Sequence, residues 1–238
     1  MQLTVRDISK LLSVSENTIY GWIQKGGLPA NEIGGHYRIN RSELLEWATS
    51  HNVSVPPGLF DSGKKDAEAL PGLSAALDAG GVFHGVSAPD KAAVLEAIVG
   101  LMPLPEGVDR ELLLRMLLAR EALESTGIGD GIALPHPRNP IVLRVSEPLV
   151  TLCFLEKPVE FGALDGKPVY ALFSLVTPTP RVHLHMLARL SFALQRAGFR
   201  DAVVRRAPRA DILCELRRME SEMAGAQPAP VESQGRAP

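Results

Sequence analysis

One histidine in this sequence is placed where its ring would be held stiffly. His136 lies between Pro135 and Pro137 and follows the run Gly127-Ile128-Gly129-Asp130-Gly131-Ile132-Ala133-Leu134. Two prolines fix φ on either side of it, and the glycines allow tight backbone geometry leading up to a strand end. Neutral imidazole, with an ordinary pKa of about 6.5, is a competent nucleophile near neutral pH. One ring nitrogen can attack a phosphoryl group while a backbone acceptor holds the N–H of the other. The product is a labile phosphoramidate, suited to passing the group onward. Such chemistry needs positive or hydrogen-bonding groups around the phosphoryl oxygens, and Arg120, at the end of a helical run, is the candidate. Gly127, Gly129 and Gly131 do not make a nucleotide loop. They follow a helix and lead into a strand, the reverse of a dinucleotide or P-loop turn. The sequence offers no cluster of metal ligands, and no cofactor is expected.

A second set of residues suits recognition. In the segment 15–25, Ile19, Trp22 and Ile23 form one helical stripe, and Asn17, Tyr20, Gly21 and Gln24 form the opposite one at i, i+3, i+4 and i+7. A short helix of this kind, preceded by another across a tight turn, fits the DNA major groove. Asn17 and Gln24 could make bidentate bonds to adenine edges, and Gly21 would let the helix backbone come close to its target. The hairpin segment 32–39 adds His36, Tyr37 and Arg38 within reach of phosphates. The candidate DNA contacts are Glu16, Asn17, Thr18, Tyr20, Gln24, His36 and Arg38. Against this, residues 1–53 carry five positive side chains and five negative ones. Phosphate neutralisation supplies most non-specific affinity, so such a domain binds DNA weakly alone, and a protein-docking use stays open. A homodimer or a partner protein would strengthen DNA binding, but no heptad run explains dimerisation.

The elements that must position these residues fall into two units. The chain has 238 residues, 45% hydrophobic and 22% charged, enough for two modest domains with real cores. Residues 54–72, rich in Pro, Gly and charge, read as a linker able to span on the order of 24 Å. The Ala/Pro/Gln/Gly segment at 222–238 reads as a disordered tail. In the unit at 1–53, Thr4 and Asp7 are spaced as a capping box for a first helix, Ser15 caps a second, and a Gly34-Gly35 turn joins two strands. Asn40 caps a third helix with Glu43 at the capping-box position. In the unit at 73–221, Ser87 and Asp90 form a further capping box, and Asp109 opens a helical run from 110 to 122. Near-continuous apolar strands cover 149–155 and 169–176, and helices cover 182–196 and 210–219. Strands and helices interleave, so the class is α/β. Cys153 and Cys214 cannot build a disulfide scaffold. No stretch is apolar for the length of a membrane span, and charge precedes any signal-like segment, so a cytoplasmic address without membrane association is expected.

Two resemblances complete the reading. Residues 1–50 resemble the excisionase-type, or MerR-like, winged helix-turn-helix, through Leu3-Thr4-Val5, Leu11-Leu12-Ser13-Val14-Ser15, Thr18-Ile19-Tyr20, Ile23-Gln24-Lys25-Gly26-Gly27-Leu28-Pro29-Ala30, Gly34-Gly35-His36-Tyr37-Arg38-Ile39 and Leu44-Leu45-Glu46-Trp47. Residues 73–221 resemble the enzyme IIA domain of the bacterial phosphotransferase system, of the fructose/mannitol class and nearest its nitrogen-regulatory branch. Arg120-Glu121, the segment from Ser125 to His136, the segment from Phe161 to Val169 and His183-Leu184-His185-Met186-Leu187 carry that likeness. The resemblance implies a mixed sheet covered by helices. It also implies that His136 accepts a phosphoryl group from a small histidine phosphocarrier, with Arg120 and His183 flanking it. Pro137 departs from the pattern, in which a small residue usually follows the histidine, and puts transfer rate or donor choice in question. On spacing alone, His183 shares an apolar stripe with Leu187, Leu190 and Leu194, while His185 falls on another face and is expected at the surface. Arg200, Arg205, Arg206 and Arg209 read as a solvated basic face, and Asp165 as turn chemistry.

The resulting expectation is a regulator that binds DNA and whose enzyme IIA-like domain acts as a phosphohistidine carrier coupling phosphotransferase status to regulation. Two alternatives stand beside it. One is a non-catalytic interaction module. The other is a relay enzyme passing phosphoryl to a IIB protein in sugar uptake. The first reading requires the His136 ring to be reachable, with Arg120 beside it.

Overall fold

The computed structural model describes residues 2–25, 27–51, 53, 70–137, 143 and 145–225. The expected linker therefore lies outside the described residues except at 70–72, and the expected tail except at 222–225.

The N-terminal unit runs β1 (Gln2–Thr4), α1 (Val5–Leu12), α2 (Glu16–Lys25), β2 (Asn31–Ile33), β3 (His36–Asn40) and α3 (Arg41–Ser50). The Thr4–Asp7 capping box forms in full: the Asp7 N–H donates to Thr4 Oγ1 at 3.1 Å, and the Thr4 N–H donates to Asp7 Oδ2 at 2.9 Å. Ser15 Oγ accepts from the Thr18 N–H at 3.1 Å and starts α2. Gly34 and Gly35 have φ of 60° and 77°, the pair of left-handed residues that a two-residue hairpin turn demands. A third strand, β1, was not foreseen, because three residues carry too little pattern. It pairs Leu3 with Ile39 in an antiparallel sheet of order β1-β3-β2. Ile8, Ile19, Ile39, Leu44 and Leu45 fill the core beneath it.

The larger unit contains α4 (Leu73–Gly80), β4 (Val82–Val86), α5 (Lys91–Leu101), α6 (Arg110–Leu123), β5 (Gly127–Gly129), β6 (Ile132–Ala133), β7 (Leu149–Val159), β8 (Val169–Val176), α7 (Pro180–Leu194), α8 (Ala197–Val204) and α9 (Arg209–Gly225). Its sheet has the order β4-β7-β8-β6-β5 and is mixed: β4 with β7 and β6 with β8 run parallel, the other pairs antiparallel. Strand periodicity of two sends Val150, Leu152, Phe154, Ala171, Phe173 and Leu175 to the face covered by α4, α7, α8 and α9. Leu149, Cys153, Leu155, Leu172 and Val176 go to the face covered by α5 and α6. Each valine, leucine and phenylalanine among them contributes about 1.5–3 kcal/mol on burial.

Two expectations are corrected. Asp90 itself caps α5, accepting the Ala93 N–H at 2.9 Å, while Ser87 stays in exposed non-helical chain. Helix α9 continues to Gly225, so residues 222–225 are helical. The two units also meet: α3 packs on α7 and β5, and one contiguous apolar cluster runs from Leu44, Leu45 and Trp47 into Met186, Leu187 and Leu190.

Candidate active site

The approach to His136 is a strained hairpin. β5 and β6 pair with a register slip between Gly127 and Gly129, and Gly129, Asp130 and Gly131 at the turn have φ of 93°, 52° and 74°. Asp130 is a non-glycine residue in left-handed backbone, and the Asp165 carboxylate holds it there by accepting its N–H at 2.8 Å. That bond, together with the Lys167 N–H, keeps the Asp165 carboxyl below its ordinary range. A Cβ on Gly131 would collide with the Tyr170 ring, so this glycine is required both by φ and by space. Beyond β6 the chain stays tethered: the Leu134 N–H donates to Thr126 O at 3.0 Å and the Leu175 N–H to Pro135 O at 3.2 Å.

The His136 ring so placed is 4% exposed. Its Nδ1 lies 2.7 Å from Leu134 O. A carbonyl only accepts, so Nδ1 carries the hydrogen, and in the neutral ring the lone pair is on Nε2. His183 comes from the first turns of α7, which Thr179 caps by accepting the Val182 N–H at 3.2 Å. The His183 ring centroid is 5.1 Å from that of His136, at an interplanar angle of 50°, and its Nδ1 is 3.3 Å from Thr177 Oγ1. Arg120, in the last turn of α6, is buried and donates from Nη1 to Glu124 O at 2.9 Å. His136 and Arg120 line one cavity of about 20 Å³, with Glu124, Thr126, Leu134, Leu187 and Thr49. The expected trio of His136, Arg120 and His183 is thus brought to one place. Among the described residues, no group of three or more His, Cys, Asp or Glu could hold a metal ion.

Sequence reading missed the roles of five residues of this site. Glu121 is buried and accepts both the backbone N–H (3.1 and 3.2 Å) and the hydroxyl of Thr126. Lys91 pairs with it at 3.3 Å and also donates to Phe161 O at 2.9 Å. Ser125 Oγ donates to the same Phe161 oxygen at 2.7 Å. This knot fixes the bend between α6 and β5, and hence Arg120. The available signal was a Glu beside Arg120 ahead of Ser125-Thr126. Thr177, in the short connection six residues ahead of His183, and Thr49, which arrives from α3 by tertiary packing, gave none. The surface expectation for His185 is overturned: it is 3% exposed, because α7 is covered by α3 as well as by β8 and α8. Cys153 is enclosed in the sheet, and burial pushes its thiol up to about 12, so it is inert.

The recognition set is arranged differently. Glu16, Asn17, Gln24 and His36 are exposed, Tyr20 is 40% exposed, and Thr18 and Arg38 are half-buried. The Thr18 hydroxyl lies 2.8 Å from Ser15 Oγ and belongs to the cap of α2. Tyr20 meets Tyr37 of the hairpin edge-on, ring centroids 6.1 Å apart. The arginines beyond α7 are engaged: Arg200 pairs with Asp130, Arg209 with Asp78, and Arg206 donates to Leu155 O.

Comparison with known proteins matches this geometry. The family model described as the phosphoenolpyruvate-dependent sugar phosphotransferase system, EIIA 2, matches residues 76–218, and a helix-turn-helix domain matches residues 3–52. A nitrogen regulatory protein of Pseudomonas aeruginosa is 38% identical over 148 residues, covering 60% of this chain and 93% of that protein. A fructose-specific EIIA component of Haloferax volcanii is 34% identical over 98 residues, covering 40% and 62%. The crystal structure of nitrogen regulatory protein IIA-Ntr from Neisseria meningitidis superposes with a TM-score of 0.53 at 25% identity, covering 60% of this chain and 98% of that one. A mixed sheet with that cover of helices, a stiffened histidine at a strand end and these matches agree: the chain belongs to the EIIA 2 family of the sugar phosphotransferase system and carries a helix-turn-helix domain ahead of it.

Proposed function

We propose that the protein is a cytoplasmic, DNA-binding regulator in which His136 takes a phosphoryl group from a histidine phosphocarrier. The carrying observation is the Nδ1–H bond to Leu134 O, which turns the Nε2 lone pair into the nucleophile. Nε2 attacks phosphorus, the donor's P–N bond breaks, and its electron pair returns to the donor ring, which is protonated on its other nitrogen and leaves as neutral imidazole. The His136 ring, now bonded at both nitrogens, gains positive charge that the Leu134 carbonyl supports through Nδ1–H. Arg120, at the same cavity, faces the charge on the phosphoryl oxygens, and His183 packs beside the ring. No proton has to move. The added charge, about −1.5 to −2, then shifts regulation through contacts that differ between loaded and unloaded forms. The exposed set Glu16, Asn17, Tyr20, Gln24 and His36, with the half-buried Thr18 and Arg38, reads DNA in the manner of excisionase- or MerR-like domains, and a homodimer compensates for the neutral surface.

Incubation with a reconstituted phosphoenolpyruvate-dependent donor system, followed by mapping of acid-labile phosphate, tests this reading. Label on His136 that is lost in His136→Ala is expected. Absence of label, or label indifferent to that substitution, removes it. One observation favours a second reading, a non-transferring interaction module: Pro137, buried directly after the histidine, has no N–H for a phosphoryl oxygen. Partner capture unaffected by His136→Ala would favour that reading.

A further inference from the structure

We infer that α3 of the helix-turn-helix unit is an intramolecular plug on the His136 site, which must lift before a phosphoryl group can arrive and stays lifted while the group is present. The second half rests on the proposed role of His136; the first does not.

Thr49 of α3 is 5% exposed. It lines the roughly 20 Å³ cavity of His136 and Arg120, and also an adjoining cavity of about 320 Å³ with Ile128, Ser191 and Arg200. Further along the seam, Glu43 and Trp47 line a cleft of about 270 Å³ with Arg120, Leu123 and Glu124. In-line transfer needs the phosphorus about 3–3.5 Å from Nε2, with the donor's ring behind it. With α3 in place the cavity beside His136 has room for about one water molecule. Three phosphoryl oxygens and a protein-borne imidazole do not enter it, so α3 must move away. The seam is built to release. Beside its apolar contacts the seam is flanked by clefts that open towards solvent, where water can enter as α3 lifts. The Thr49 hydroxyl is buried there without a hydrogen-bond partner among the described residues. Once in place, the phosphoryl dianion occupies the space that Thr49 closes. Asn17 and Gln24 on α2 remain exposed in the closed form, so closure governs the phosphoryl site without masking the recognition helix.

The test uses the full chain and diethylpyrocarbonate, a small reagent that acylates reachable neutral imidazoles, with sites mapped by peptide mass. Exposed His36 is the internal reference. An open form populated at about 0.1–10% makes His136 at least about tenfold slower than His36 in the native chain. Thr49→Arg, too large for the seam, brings the two rates together. Leu123→Glu, at a position 69% exposed that borders the same cleft as Glu43, has the same effect without touching either core. Both tryptophans, Trp22 and Trp47, lie in the N-terminal unit, so emission reports release. Phosphoryl loading is expected to shift emission as Thr49→Arg does, and not in His136→Ala. Equal rates at His136 and His36 in the native chain, or protection unchanged in both variants, would overturn the plug. So would a loaded chain with the closed-form emission, which would make Thr49 a holder of the phosphate. Protection that both variants relieve, combined with no label from the donor system, would leave the plug standing and remove the transfer reading.

Discussion

The two candidate sites are built on opposite principles. Around His136 the polar groups are buried and fixed by backbone: Arg120, Glu121, Thr126, His136 and His183 are all nearly inaccessible, and a carbonyl sets the ring's tautomer. On α2 the polar groups stand in solvent and only the apolar stripe is fixed, with Ile19 buried. Bond-making benefits from dipoles and charges set before the reaction, in a place water has left. Groove recognition needs side chains that can reach outward. The difference explains why substitutions at one site should leave the other intact, and why α3, which belongs to the recognition unit by sequence and to the buried site by contact, is the place where they meet.

Breaking the buried site gives the largest effect. Arg120→Ala should slow phosphoryl acceptance by about 10²–10³-fold, the usual loss when one charge-stabilising donor is removed, with DNA affinity unchanged; single-turnover labelling and gel shift measure the two. Breaking the exposed site is smaller. Asn17→Ala or Gln24→Ala should each weaken operator binding by about 1–3 kcal/mol and leave labelling rates alone. Gly131→Ala tests the strained approach, since its φ of 74° and the Tyr170 ring both oppose a side chain. A loss of about 1–3 kcal/mol in urea unfolding is expected, with slower labelling in whatever remains folded. Thr4→Ala, which removes a cap from α1, should cost about 1 kcal/mol, confined to the N-terminal unit. The same capping box carries a pH dependence. Chiefly the Thr4 N–H, then its hydroxyl, hold the Asp7 carboxyl below its ordinary value. A lowered folded pKa means stability that is present above the ordinary carboxylate range and lost as pH falls through the folded value. The acid loss in the N-terminal unit should therefore be shallower in Thr4→Ala.

Much of the fold was legible where pattern was long or chemistry was local. The apolar run of β8 could be read off directly, as could the Thr4–Asp7 and Asp109 caps and the Gly34-Gly35 turn. β1, β5, α4 and α8 were not, because three to eight residues show too few repeats of any period. The His136–Arg120–His183 grouping was legible through family likeness, while periodicity alone made His183 a core residue. Thr49 and the burial of His185 were invisible for a common reason. They depend on which face of one unit meets the other, and helical spacing says nothing of that.

Nitrogen-15 and phosphorus-31 NMR of the histidine-labelled full chain, before and after donor treatment, would show which ring nitrogen carries phosphorus. A single phosphohistidine at His136, bonded through Nε2 and with Nδ1 still protonated, is the expected spectrum. Phosphorus on Nδ1, on another histidine, or on none would contradict it.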